Sequence, residues 1–226
     1  MKQWKHIFKL DPAKEISDEH LEMICESGTD AVIVGGTDNI TLEAVLDLLA
    51  SIRQYSVDCI LEVSSMEAIT PGFDYYFIPM VMNSTEKKWM MDIQHEAVKQ
   101  YKDMINWDEL IVEGYCILNK EAKAFKKTNC FIPDTDDVIA YAYMAERMFQ
   151  LPIFYMEYSG TYGDSTLVKK VSKELNHTLL FYGGGIESKE QAQEMKTYAD
   201  VIVVGNIIYE NIKEALETVN AIKNGN

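Results

Sequence analysis

The chain has 226 residues, 47% of them hydrophobic and 25% charged, which fits one globular domain with a sizeable core and no disordered majority. Its formal charge of −15, from 21 Lys and Arg against 36 Asp and Glu, excludes a nonspecific grip on nucleic-acid phosphates and polybasic docking on anionic lipid, while leaving room for a transient local membrane contact. Cys25, Cys59, Cys116 and Cys130 form no C-x-x-C pair and no stretch reaches the ~18 apolar residues of a membrane span, so the expectation is a cytoplasmic protein without zinc, disulfides or a transmembrane segment.

Eight short β-rich runs, at 5–10, 31–35, 59–63, 75–79, 114–118, 153–157, 179–182 and 201–204, alternate with longer helical patterns, the signature of repeated βα units. The β-branched runs AVIVGG from Ala31 and VIVVGN from Val201 suit strands buried on both faces. Helices are predicted over 18–26 behind Ser17 as N-cap, over 42–54 behind Thr41, and over 136–149, 165–175, 189–198 and 209–223. Residues 64–74 contain Thr70-Pro71-Gly72 and are too few for an ordinary crossover helix, so a loop or one helical turn is predicted there. Residues 120–133 are irregular. An open dinucleotide-binding sheet would carry G-x-G-x-x-G after its first strand, but Leu10-Asp11-Pro12 stands there and the glycines cluster after strands seven and eight. The expected fold is α/β, a single (β/α)8 TIM barrel over residues 1–226 with its third crossover helix replaced by a loop.

Active sites of such barrels gather at the C-terminal ends of the strands. The first strand ends Phe8-Lys9-Leu10-Asp11, where alternation puts Lys9 and Asp11 on one face, either as a salt bridge or as a cation and a hard oxygen ligand at the mouth. Gly35-Gly36-Thr37-Asp38 follows the second strand, either as turn chemistry or as a close backbone approach with a hydroxyl; with Asp11, Thr37 would complete a Mg²⁺ site shared with water and diphosphate oxygens. In Tyr155-Met156-Glu157-Tyr158-Ser159-Gly160, Tyr155, Glu157 and Ser159 share a face. An inward Glu157 is costly unless it pairs with a core lysine or binds or accepts a proton. Tyr182-Gly183-Gly184-Gly185 and Gly205-Asn206 read as phosphate cradles, since glycines free backbone N–H groups and helix N-termini follow.

His6, His20, His95 and His177 lack metal spacing and read as solvated or core histidines, and Cys59 and Cys116 as small core hydrophobes. Met80, Met82, Met90 and Met91 either fill the core, the default, or line a greasy channel.

Together FKLDP at 8–12, GGTD at 35–38, PGFDYYFIP at 71–79, EGYCILN at 113–119, YMEYSG at 155–160, YGGGI at 182–186 and VVGNIIY at 203–209 resemble the PcrB family of heptaprenylglyceryl phosphate synthases, related to archaeal geranylgeranylglyceryl phosphate synthases. The resemblance runs over essentially the whole chain. It implies transfer of a long prenyl chain from its diphosphate to sn-glycerol 1-phosphate, with Mg²⁺ as cofactor, and a homodimer. By motif, it implies that Lys9, Tyr155, Met156, Glu157, Tyr158, Ser159, Gly160, Gly185, Gly205 and Asn206 hold glycerol phosphate. Asp11 and Thr37 would hold Mg²⁺ against the prenyl diphosphate, and Glu157 would be the general base or hydrogen-bond acceptor of the attacking hydroxyl. Ala97 would be a small residue leaving room for a longer tail. A shorter donor, or a non-catalytic phosphate-binding barrel, are the alternatives.

Overall fold

Alternation along each strand decides what fills the barrel and what packs outside it. In β1 (His6–Leu10), Ile7 joins the inner cluster while Phe8 and Leu10 join the shell between sheet and helices. The computed structural model, which describes residues 3–223, repeats this seven more times: β2 (Ala31–Val34), β3 (Asp58–Glu62), β4 (Tyr75–Val81), β5 (Leu110–Ile117), β6 (Ile153–Glu157), β7 (Leu179–Gly183) and β8 (Val201–Val204). All neighbours pair in parallel, and β8 pairs with β1 to close the barrel. The (β/α)8 expectation is met.

The lower barrel is filled by aromatic rings. Trp4 meets Tyr75 edge-on at 5.5 Å, and Phe77 meets Phe181 at 6.1 Å. Burying each such ring is worth about 1.5–3 kcal/mol relative to exposure. The upper barrel, nearer the C-terminal strand ends, is polar instead.

The helices begin where the sequence places their caps. Ser17 accepts from the His20 N–H ahead of α1 (Asp18–Cys25), and Thr41 from the Ala44 N–H ahead of α2 (Leu42–Ile52). Further round stand α3 (Asp92–Tyr101), α4 (Lys123–Lys127), α5 (Thr135–Tyr143), α6 (Ser165–Ser172) and α7 (Lys189–Lys196), then α8 (Ile207–Glu210) and α9 (Ile212–Lys223). The third crossover is a single 3-10 turn, Met66–Ala68, as the length of 64–74 predicts.

Beyond small shifts at other element ends, the main departures from expectation are these. β5 begins at Leu110 rather than 114, because Glu113 interrupts an apolar pattern that otherwise alternates inward. The helix expected over 209–223 is two, α8 and α9, parted by Asn211 in an extended conformation. The helix expected over 136–149 is α5, entered through an Asp134–Asp137 capping box and finishing in a π turn, Met144–Met148. The irregular zone 120–133 holds α4 and an isolated bridge between Ser84 and Cys130.

β4 also runs two residues past Pro79, although proline has no N–H for a ladder. The Tyr76 and Met82 N–H groups bond to β5 or its lead-in, whereas the Phe77 carbonyl bonds toward β3, at Val63. Pro79 therefore faces the β3 side, where the last registered pair is Glu62 with Phe77. Nothing in β3 requires its missing N–H. The proline marks a seam that opens between β3 and β4 just where the third crossover helix is absent.

Candidate active site

The polar upper barrel is organised around Lys9. Its ammonium donates to both carboxylate oxygens of Glu62 at 2.7 Å, lies 3.5 Å from the Tyr115 hydroxyl and stands 3.8 Å from Oε2 of Glu157. Burial pushes this ammonium down, but Glu62, Glu157 and Glu113 outweigh it and raise the group to about 12. Glu157 is buried at the end of β6; its Oε1 accepts the Ser159 N–H at 2.6 Å and its Oε2 the Tyr115 hydroxyl at 2.7 Å. Burial pushes its carboxyl above the ordinary range, and Lys9 pulls it back. Tyr115 stacks on Tyr155 with centroids 4.8 Å apart. Deeper in the network, neither oxygen of fully buried Glu113 has a hydrogen-bond partner among the described residues. Burial first, then Glu62, pushes its carboxyl well above the ordinary carboxylate range.

Two sets of loops flank this centre. On one side, the loop after β7 packs onto the loop after β6: a Cβ on Gly185 would fall 2.1 Å from the Thr161 carbonyl carbon, and Gly185 has φ +59°. No side chain fits where these two backbones touch. Gly205 and Asn206 complete the side ahead of α8, and Asn206 accepts from Lys14 at 3.2 Å. The Tyr209 hydroxyl accepts the Asp11 N–H at 2.9 Å, tying the end of β1 to this side. On the other side, Asp11 packs against Gly36 so closely that a Cβ there would lie 2.5 Å from Oδ1, and Lys127 from α4 donates to the Thr37 carbonyl.

One cavity of about 1190 Å³ joins these parts. Lys9, Asp11, Thr37, Tyr155, Glu157, Ser159, Gly160, Gly185, Gly205 and Asn206 all line it. From there it continues through the β3–β4 seam into an apolar groove whose walls include Ile69, Tyr76, Ile78, Ile93 and Ala97. The groove exists because α3 stands off the sheet and buries none of its residues.

The chain matches the PcrB family over residues 1–223. It belongs to that family. The heptaprenylglyceryl phosphate synthase of Oceanobacillus iheyensis is 68% identical over 98% of this chain and 97% of that protein. The protein of the same name from Geobacillus sp. strain WCH70 is 63% identical, over 99% and 98%. Among solved structures, (S)-3-O-geranylgeranylglyceryl phosphate synthase from Thermoplasma acidophilum, in complex with its substrate sn-glycerol-1-phosphate, superposes with a TM-score of 0.86 at 26% identity, covering 98% of this chain and 94% of that one.

In this PcrB barrel the pleat turns Met156 and Tyr158 away from the cavity. Both pack in the shell between sheet and helices, Tyr158 against Tyr182 at 5.8 Å, so neither side chain reaches the site proposed for them. Lys9 and Asp11 part company as well: Lys9 descends to Glu62, and Asp11 turns to Gly36. The four methionines from Met80 to Met91 do not line the groove; Met82 is core and Met91 is exposed, while Met66 and Met104 reach the cavity. His6 is buried between the hydroxyls of Thr29 and Thr218. Burial pushes the thiol of Cys59 up to about 12 and that of Cys116 higher still, which removes both as nucleophiles.

Glu62, Glu113, Tyr115, Lys14 and Lys127 were missed by sequence. Glu62 closes β3 just as Glu157 closes β6, and that shared placement was its available signal. Lys127 comes from the irregular zone and carried none.

Proposed function

We propose that this chain transfers a heptaprenyl group from its diphosphate to the free primary hydroxyl of sn-glycerol 1-phosphate, giving heptaprenylglyceryl phosphate and diphosphate. The observation that carries the reading is the single cavity that joins an acid–base centre and two glycine-lined loops to a long apolar groove. A sugar-phosphate enzyme has no use for such a groove, whereas a C35 tail needs one. The names of relatives at 63–68% identity supply the chain length.

In this reading the acceptor phosphate lies among Ser159, Gly160, Gly185, Gly205 and Asn206, where backbone N–H groups and Lys14 provide positive potential. Glu157 takes the hydroxyl proton while the hydroxyl oxygen bonds to the first carbon of the prenyl chain. The bond from that carbon to the donor oxygen breaks, and its electron pair leaves on diphosphate. Tyr115 and Tyr155 present ring faces and hydroxyls beside Glu157, suited to an allylic carbon that becomes positive.

Asp11 and Thr37 are the residues for Mg²⁺. The bare Gly36 lets the Asp11 carboxylate pack against the backbone that leads into Thr37, and a lone carboxylate plus substrate phosphates is a donor set this ion accepts. When bound, the ion would neutralise charge on the departing diphosphate. Lys127 adds a cation on the same side.

Purified protein incubated with labelled glycerol 1-phosphate, Mg²⁺ and prenyl diphosphates of several lengths should form an ether lipid, best with the C35 donor. No lipid product with any donor sinks the reading. Among the described residues no helix is long and apolar enough to cross a membrane, so we assign donor uptake to a peripheral contact at the groove; flotation with vesicles tests it. Mass measurement in solution tests the homodimer.

A further inference from the structure

The upper barrel contains more acid than the reaction above uses. Glu62, Glu113 and Glu157 surround one cation, Lys9, and the cation does not sit between them evenly. Both of its short bonds go to Glu62, while Glu157 is 3.8 Å away. Glu62 is itself 7% exposed and held from behind, since a Cβ on Gly35 would fall 2.9 Å from its own Cβ. Gly35 is needed for this fit, and its φ is not in the left-handed region.

We propose that Glu62 is a positioning residue for the transfer: by taking the Lys9 ammonium on both carboxylate oxygens, it holds that cation off Glu157 and leaves the Glu157 carboxylate free to take the hydroxyl proton. The proposal rests on the reading of Glu157 as proton acceptor. A lysine released from Glu62 has Glu157 to turn to, because the Glu157 carboxylate is already within 4 Å. Pairing fully with Lys9 would make Glu157 a weaker base.

The groups facing Glu157 are Lys9 from β1, Glu62 from β3, Glu113 and Tyr115 from β5 and Tyr155 from its own strand, while Tyr182 of β7 acts on it only from the shell outside. Burial acts most strongly on Glu157 and pushes its carboxyl up; Lys9 and the Tyr115 hydroxyl pull it down, and Glu62 pushes it up. Changing Glu62 to Gln removes one upward push and frees the cation, so both consequences have the same sign. Glu157 should then ionise at lower pH.

The test is the pH profile of kcat/KM in Glu62→Gln, whose acid limb should move to lower pH. kcat should fall about tenfold as the base weakens, with KM for glycerol 1-phosphate within about threefold. A folded Glu62→Gln with the wild-type limb and kcat overturns the proposal. A variant with lower thermal stability but an unmoved limb also overturns it, by making Glu62 a counter-ion alone. Should Gln at 62 fail to fold, Lys9→Met reads the pair from its other side. Glu157 then loses its cation and the limb must move to higher pH; an unmoved limb there is equally fatal. Glu157→Gln separates the two readings: if it keeps wild-type turnover and its acid limb, the base assignment fails first.

Discussion

Gly36→Ala tests the placement of the metal with a displacement that can be worked from the structure. The added Cβ would lie 2.5 Å from Oδ1 of Asp11, 2.9 Å from its Cγ and 2.8 Å from Cδ1 of Ile40. A relaxed carbon–oxygen contact is about 3.3 Å, so the carboxylate must retreat by about 0.8 Å. Gly36 has no left-handed φ, so alanine adds no backbone strain, and the overpacking cost is about 1–3 kcal/mol. Mg²⁺ demands oxygen ligands at about 2.0–2.1 Å in near-ideal geometry, and misplacement on the order of 1 Å can cost about 100-fold. The half-saturating Mg²⁺ concentration should therefore rise about 10- to 100-fold, and calorimetry should show weakened binding of magnesium diphosphate. A folded Gly36→Ala protein with wild-type values in both measurements would remove Asp11 from the metal site.

Glu157→Gln should lower kcat about 100- to 10,000-fold, the usual range for a general base, while glycerol 1-phosphate still binds within a few-fold of wild type by calorimetry. Ala97→Tyr puts a ring into the groove that Ala97 lines, so product analysis with mixed donors should show preference moving from C35 to shorter chains; an unchanged preference places the tail elsewhere. His6 is buried neutral, with its imidazole lowered from 6.5 to about 3 by burial. Its neutral form stabilises the fold fully above pH 6.5, and that stability is lost as pH falls toward 3 because the unfolded chain protonates first. Urea unfolding at pH 7.5 and 5.5 should show wild type losing about 1.4 kcal/mol from this group, a loss that His6→Gln lacks.

How far the sequence carried this reading follows from which rule each residue obeys. Strands β6 and β8 were legible to the residue because their side chains, apart from Glu157, are what a doubly buried strand requires. β5 was not, because Glu113 is a carboxyl inside a barrel, and alternation rules treat such a residue as the end of a strand. The break at Asn211 was hidden for a different reason: Ile207, Ile208 and Ile212 keep helical spacing across it. Strand ends and glycine runs announced Glu157, Asp11 and the two glycine loops that line the cavity. The Lys9–Glu62 pair spans 53 positions, and only closure of the barrel brings it together. Glycines 35 and 36 were legible as a turn but not as room for Glu62 and Asp11.

The charge inside the barrel explains why such an expensive centre is tolerated. Lys9 pairs with Glu62, and an ionised Glu157 adds a further negative charge in a poorly solvated space, stabilised by the Ser159 N–H and the Tyr115 hydroxyl. Burying such a charge is unfavourable, and the penalty is relieved when Glu157 receives a proton. In the proposed mechanism, transfer of the hydroxyl proton would therefore remove that charge with the Lys9–Glu62 pair intact, as diphosphate would form outside near Asp11 and Lys127. If Lys9 served Glu157 directly, the resting enzyme would be more stable and the proton transfer less favourable. The uneven geometry around Lys9 gives up resting stability in favour of a base that is ready to act.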